Sequence, residues 1–279
     1  MRHGLSITCC LLILLACLPL TAAAQDDAPA PPAKPADNEQ GNAADDAGDQ
    51  VRAAIEQINK QDNGVTINAD ERYIDVKAKV CLRVGEFLEM FACIKDTREH
   101  ESVVVLEAMP STMHLGLLLL GLEPGSPLKY DIDENPPKLI PPKGPKVKVF
   151  VVREIAGQMR ETPANRWIKD NKTGDMMKDN TWLFAGSEVG TYEGKTHYHA
   201  DINGSAISLV NFGDDLLTLP NKMTHENTSH DKVWAPRTKA IPPVGTAVTI
   251  RLRVEPAEDE KDKKQDAEPA APAQDAPEA

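Results

Sequence analysis

The segment "HYHAD" sets His197, His199 and Asp201 at alternate positions. Alternate side chains on a strand share one face. Two imidazoles and a carboxylate so placed form a partial shell for a divalent metal such as zinc, iron or copper, with His225 or His230 as completing ligands. The plainer alternative is a solvated strand face. A second group gathers in "FACIKDTREHESVVVLEAMPSTMHLGLLLLG" (91–121), which carries Cys93, His100, Glu101, Ser102, Glu107 and His114, with Cys81 a little upstream. Thiol, imidazole and carboxylate can act as metal ligands, as nucleophiles or as general acids and bases.

Such residues act together only if the chain brings them together. "SVVVLEA" is a continuous apolar run of β-branched type, which suits a central strand covered on both faces. Pro110 follows, with Ser111 as N-cap. "TMHLGLLLLGL" is apolar nearly all round, so the pattern predicts one buried helix over about 111–122. If the chain reverses at Pro110, that helix runs back along the strand. His114, in its first turn, then lies near Glu107. His100 sits at the other end, roughly 20 Å away at about 3.3 Å per residue. A zinc ion needs its ligands within about 2.3 Å, so Cys81, Cys93, His100 and His114 do not form one zinc site. The functional readings are His114 and Glu107 as an acid/base pair lining a pocket, and His100, Glu101 and Ser102, at the other end, as a rim for a ligand. The plainer reading makes His114 a neutral core histidine bonded to backbone or to Glu107, and Ser102 the partner of a nearby backbone group.

The chain opens "MRHGLSITCCLLILLACLPLTAAAQDD": a basic start, an apolar middle and an A-x-A site. Those features predict a secretory signal peptide over 1–24, removed on export to the periplasm, envelope or exterior. A lipid anchor at Cys17 is the alternative, disfavoured by bulky Leu15. Of five cysteines only Cys81 and Cys93 survive cleavage. In an oxidising compartment that even count predicts one structural disulfide. A loop centred near Phe87 would set the two cysteines opposite each other. Two free thiols, or a reactive pair, remain the alternatives.

The formal charge of −12 resides mostly in the ends. Residues 25–50 hold seven acids and one lysine, and 257–279 hold eight acids and three lysines. Both segments are rich in Ala, Pro, Asp and Glu and lack the apolar content to fold, so 25–50 is expected as a disordered linker and 255–279 as a disordered acidic tail. The body, 51–256, is left at −2. A near-neutral body without a basic stripe argues against nucleic acid as a partner. No segment beyond the leader is long and apolar enough to predict a transmembrane span.

A lead-in helix is expected over 51–64, from Val51, Ala54, Ile55 and Ile58 at helical spacing. The folded domain then spans 65–254. "YIDVKAKVCL", "FLEMFACI", "VKVFVVRE", "TWLFAGS", "KTHYHAD", "SAISLVNF" and "TAVTIRLRV" read as strands, and the proline-rich stretch 133–146 as a stiff connector between two halves. Asn203 and Gly204 supply turn chemistry for a hairpin. The class is α+β, mostly antiparallel β-sheet with one buried apolar helix. A G-x-S-x-G elbow, a phosphate loop and a dinucleotide fingerprint are all missing from the sequence. Trp167, Trp182 and Trp234 are expected as packing anchors.

"VCLRVGEFLEMFACIKDTREHESVVVLEAMPSTMHLGLLLLGLEPGSP", "WIKDNKTGDMM", "WLFAGS", "SLVNF" and "IPPVGTAVTIRL" together resemble the YdjY-domain family of exported bacterial proteins. The resemblance covers about 65–254, and it implies no established activity. Some members carry a ferredoxin-like label. An iron–sulfur cluster needs about four cysteine-type ligands, and this chain keeps two. Three functions follow as expectations. The first is a ligand- or protein-binding module with an envelope or extracellular partner. The second is a metal-dependent enzyme or metal carrier built on His197, His199 and Asp201. The third is an envelope thiol–disulfide protein, weakened by the lack of a C-x-x-C pair.

Overall fold

The computed structural model describes residues 40–226 and 232–255. The leader with Cys17, His230 and the tail beyond Glu255 lie outside the described residues. A helix, α1 (Gln40–Asn59), precedes β1 (Val65–Asn68), β2 (Tyr73–Val80), β3 (Met90–Ile94) and β4 (Ser102–Leu106). Then come α2 (Pro110–Leu119), β5 (Lys129–Asp131) and β6 (Lys138–Ile140). The remainder runs β7 (Lys146–Ile155), β8 (Gln158–Pro163), β9 (Ile168–Asp170), β10 (Thr181–Phe184), β11 (Val189–Tyr192) and β12 (Lys195–Tyr198). It ends with α3 (His199–Asn203), β13 (Ile207–Ser208), β14 (Leu217–Thr218), β15 (Trp234–Pro236) and β16 (Ala247–Val254).

Eight strands close into a barrel in the order β2-β16-β7-β10-β14-β13-β3-β4, and β4 returns to β2. β1 extends the sheet from β2, and β8 from β7. The pairings are antiparallel except β13 with β14 and β3 with β4. The mostly antiparallel sheet expected from the sequence is thus present, and its closure is what the structure adds.

Alternation explains the long strands. Ile74, Val76, Ala78 and Val80 of β2 are buried, as are Val147, Val149 and Val151 of β7 and Val248, Ile250, Leu252 and Val254 of β16. In register, Ile250 lies between Val76 and Val151, so these residues form one interior layer. Eight strands leave an interior about wide enough for side chains to fill. On the opposite face Arg251 forms a two-point ion pair with Asp75 at 2.7 Å and reaches Glu161 at 2.9 Å. Arg253 grips the same Glu161 at 2.7 and 2.8 Å. Tyr73 lies under the Arg251 guanidinium at 3.8 Å.

The lead-in helix begins at Gln40, inside the stretch expected as linker. Ile55 and Ile58 bury against the domain. Asn59 clamps the free edge of β1 by donating to Ile67 O and accepting from Ile67 N. The helix expected over 111–122 starts at Pro110, with Met109 as N-cap and Ser111 already inside it. It is not buried all round, since Leu115 and Leu118 are 45% and 41% exposed. Nor does it run back along β4. Its Met113, Gly116 and Leu117 face meets β1 and β2, where a side chain at position 116 would press on Ile74. The stretch 133–146 does not divide the domain, because its β6 pairs with β5 as a small hairpin. The barrel takes strands from both sides of it.

Candidate functional site

His197, His199 and Asp201 do not share a strand face. β12 ends at Tyr198, and His199 opens α3, so the alternation is broken after His197. The His199 ring lies against the Gly190 backbone, where any side chain at position 190 would collide with it. Asp201 serves α2 instead. Its Oδ1 accepts from the Ser111 backbone N–H at 2.8 Å, one of the first-turn donors that a helix leaves without an internal partner. Asn203 and Gly204 do not turn a hairpin: Gly204, with φ +78°, ends α3 in the left-handed region. His225 stacks on Phe212 at 5.2 Å. Among the described residues no group of three His, Cys, Asp or Glu side chains is placed to hold a metal ion. Asp201→Ala is expected to destabilise the domain by about 1 kcal/mol, a fall in Tm of about 2–4 °C. An unchanged Tm would show that water replaces the carboxylate without cost.

His114 and Glu107 do not meet either. Glu107 pairs with Lys79 at 2.7 Å. His114 packs edge-on against Phe184 and Tyr198, with ring centroids 4.9 and 5.5 Å away. The Tyr198 hydroxyl donates to Gly186 O at 3.0 Å and lies 2.8 Å from His114 Nδ1, an arrangement that assigns the proton to Nδ1. Burial pulls the imidazole pKa below its ordinary value, so the ring is neutral. This is a core histidine held by Tyr198 and the Gly186 backbone rather than by Glu107, the backbone bond partly offsetting the effect of burial. Ser187 is held in the same neighbourhood, donating to Asp214 O at 2.6 Å and accepting from Ala200 N at 3.1 Å.

His100 stands in solvent, its side chain 75% exposed, beside Glu101 at 3.8 Å. Glu101 is buried and pairs with Arg98 at 3.0 Å. Ser102, fully buried, donates to Val104 O at 3.0 Å. These three residues do not rim a shared pocket with His114. Arg98 in turn covers the face of Phe212 at 4.0 Å.

The cysteines do come together, but not across a hairpin. β2 and β3 each pair with β4, which lies between them. Cys81 follows β2 directly, its N–H bonded to Val103 O at 3.0 Å and its thiol to Ser102 O at 3.0 Å. Its thiol is also within hydrogen-bonding reach of Cys93. That contact pushes the Cys81 pKa up and holds Cys93 down, with Ser102 and the Arg98 backbone assisting the latter. Both are free thiols in this structure. Cys93 is buried, whereas Cys81 is half-buried and opens on a cleft of about 750 Å³. Val80, Ile94, Val105, Leu106 and Ala108 give that cleft apolar walls. Its rim carries Lys79, Lys95, Glu99 and Glu107, and the exposed Met109 and Val244 form its lip.

Sequence reasoning passed over Asp214 and Asp215, which are 8% and 0% exposed. The signal was available: two carboxylates in "SLVNFGDDLLTL", with apolar runs on both sides. Asp215 Oδ2 accepts from the N–H groups of Phe212 and Gly213 at 3.0 and 3.2 Å. Burial pushes its pKa up to about 7, with Asp214 adding to the rise and Ser208 and the two N–H groups opposing it.

Among the described residues no helix is long and apolar enough to cross a membrane. No curated protein and no solved structure matches the chain. The family model for the YdjY domain matches residues 65–253, the whole barrel with β1 and all but the last residue of β16. The chain therefore belongs to the YdjY domain family.

Proposed function

We propose that this is an exported binding module whose cleft beside Cys81 takes an extended segment of an envelope or extracellular protein. The observation that carries the reading is the continuity of apolar surface from the cleft walls out to Met109 and Val244, which are 45% and 60% exposed. A small ligand would be satisfied inside the cleft. Apolar surface running past its edge suits a partner that lies across it, with charges of both signs on the rim to fix orientation. The buried or paired state of His114, Ser187, Glu107 and Ser102 favours binding over acid/base or nucleophilic chemistry at those residues.

A phage library of about ten-residue peptides, selected on the mature chain, tests this. Enriched peptides should carry apolar residues flanked by charges and compete for one site. Val105→Trp, which fills the half-buried cleft wall, should abolish their binding while leaving Tm near that of the parent. Lack of enrichment, or binding indifferent to Val105→Trp, would remove the proposal. If Val105→Trp fails to fold, Lys95→Glu on the exposed rim serves in its place, with about tenfold weaker binding expected.

A second reading, thiol–disulfide exchange, is favoured by two observations: the two thiols lie within hydrogen-bonding reach, and Cys81 lines the cleft. In an oxidising compartment the same contact forms a structural bond, which is the reading preferred here. Redox titration separates the two, because a structural bond stays oxidised down to about −300 mV and an exchanging one opens at milder potential.

A further inference from the structure

A separate cleft of about 440 Å³ lies between the turn after β9, the start of β10 and the segment 219–221, with Trp234 as one wall. Trp234 stands opposite Asp170 in the β15–β9 pair. Trp234 lines the cleft, and its Nε1 is buried. Met176, Met177, Leu219 and Pro220 complete the apolar surface. Around it stand three carboxylates, Asp170, Asp175 and Asp179, against a single ammonium, Lys178.

The carboxylates differ in their commitments. Asp170 Oδ1 accepts from Lys172 N and Thr173 N at 2.8 and 3.0 Å, bonds that fix the turn. Asp179 Oδ1 accepts from the Thr181 hydroxyl at 2.7 Å, and Lys148 lies 3.8 Å from it. Among the described residues the Asp175 carboxylate has no hydrogen bond or ion pair. An unpaired carboxylate beside an aromatic face and two thioethers suits a cation that is large, weakly hydrated and apolar over most of its surface. A bare metal ion fits poorly, because the carboxylates do not converge.

We propose that this cleft binds a small organic ammonium ion, with Asp175 supplying the opposite charge and Trp234 the ring face. The volume suits a small molecule rather than a protein segment, so the site is independent of the cleft beside Cys81.

The test titrates the mature chain with choline chloride and, in parallel, with 3,3-dimethyl-1-butanol, its uncharged isostere, at constant ionic strength. Trp167 and Trp182 are buried, so a change in indole fluorescence should arise from Trp234 and vanish in Trp234→Phe. The methyl resonances of Met176 and Met177 give a second readout if the indole is silent. A saturable response to choline in the millimolar range, absent with the alcohol and weakened about fivefold in Asp175→Asn, is the expected result. Asp175 is exposed, so its substitution leaves the fold intact. No response by either readout up to about 50 mM, an equal response to the alcohol, or indifference to Asp175→Asn would each overturn the proposal.

Discussion

If Cys81 and Cys93 are joined in the protein as isolated under oxidising conditions, reduction is expected to lower its Tm by about 6–12 °C. A Cys81–Cys93 bond would close a loop of 13 residues. Constraining a loop of that size in the unfolded chain is worth about 3 kcal/mol. For a domain of nearly two hundred residues each kcal/mol moves Tm by about 2–4 °C. Two features bring the cysteines near each other. The thiols lie within hydrogen-bonding reach, and each is anchored to β4, Cys81 through Val103 O and Cys93 through the β3–β4 ladder. The bond would therefore staple β2 to β3 across the strand that separates them, at the seam where the barrel closes. Cys81→Ser should reproduce the reduced Tm and make it insensitive to dithiothreitol. Two titratable thiols in the unreduced, unfolded protein, together with one Tm in both redox states, would show that no bond exists.

Local patterns in the sequence disclose the strands with one buried face. In β2, β7 and β16 the alternation reports burial directly, because a slip of one residue would turn every apolar side chain outward. Closure of the barrel was not legible. It depends on β13 and β14, two residues each and paired in parallel, which are too short to show any periodicity. "HYHAD" shows a local pattern with two readings. Alternation suggested a strand, yet "HADING" also carries a helical first turn with an acid and a closing glycine. The helix is tied to a contact no local pattern shows: Asp201 accepts from the Ser111 N–H at the start of α2, 90 positions away. The count of two cysteines in the folded body suggested that Cys81 and Cys93 meet, but the loop near Phe87 expected to set them opposite each other does not; they meet across β4. The cleft beside Cys81 was hidden for the same reason, since Val244 and Gly245 enter it from the far end of the chain.

Asp215→Asn is expected to stabilise the protein above neutral pH, by up to about 4 kcal/mol. The side chain is fully buried, and its pKa of about 7 stands against an ordinary 3.8. A carboxyl whose folded pKa is raised favours the native state while protonated. Its stabilisation is complete below about pH 4 and is lost as pH rises towards 7, at about 1.4 kcal/mol for each tenfold change in proton affinity. Asparagine keeps the shape and leaves an oxygen for the Phe212 and Gly213 N–H groups. Its amide N–H can face the Ser208 hydroxyl, which, like Asp215 Oδ1, is buried without another partner among the described residues. Other groups titrate with the opposite sign. Glu161, held ionised first by Arg253, adds stability as pH rises through the acid range. His114, kept neutral by burial, adds it above the imidazole range. The parent's own profile therefore mixes these effects, and the difference between parent and variant isolates Asp215. Urea unfolding at pH 5 and pH 8 should give a gap that widens with pH. A gap constant across that range, or a variant weaker at both values, would mean that the buried carboxyl is ionised in the fold and paired in a way that asparagine cannot copy.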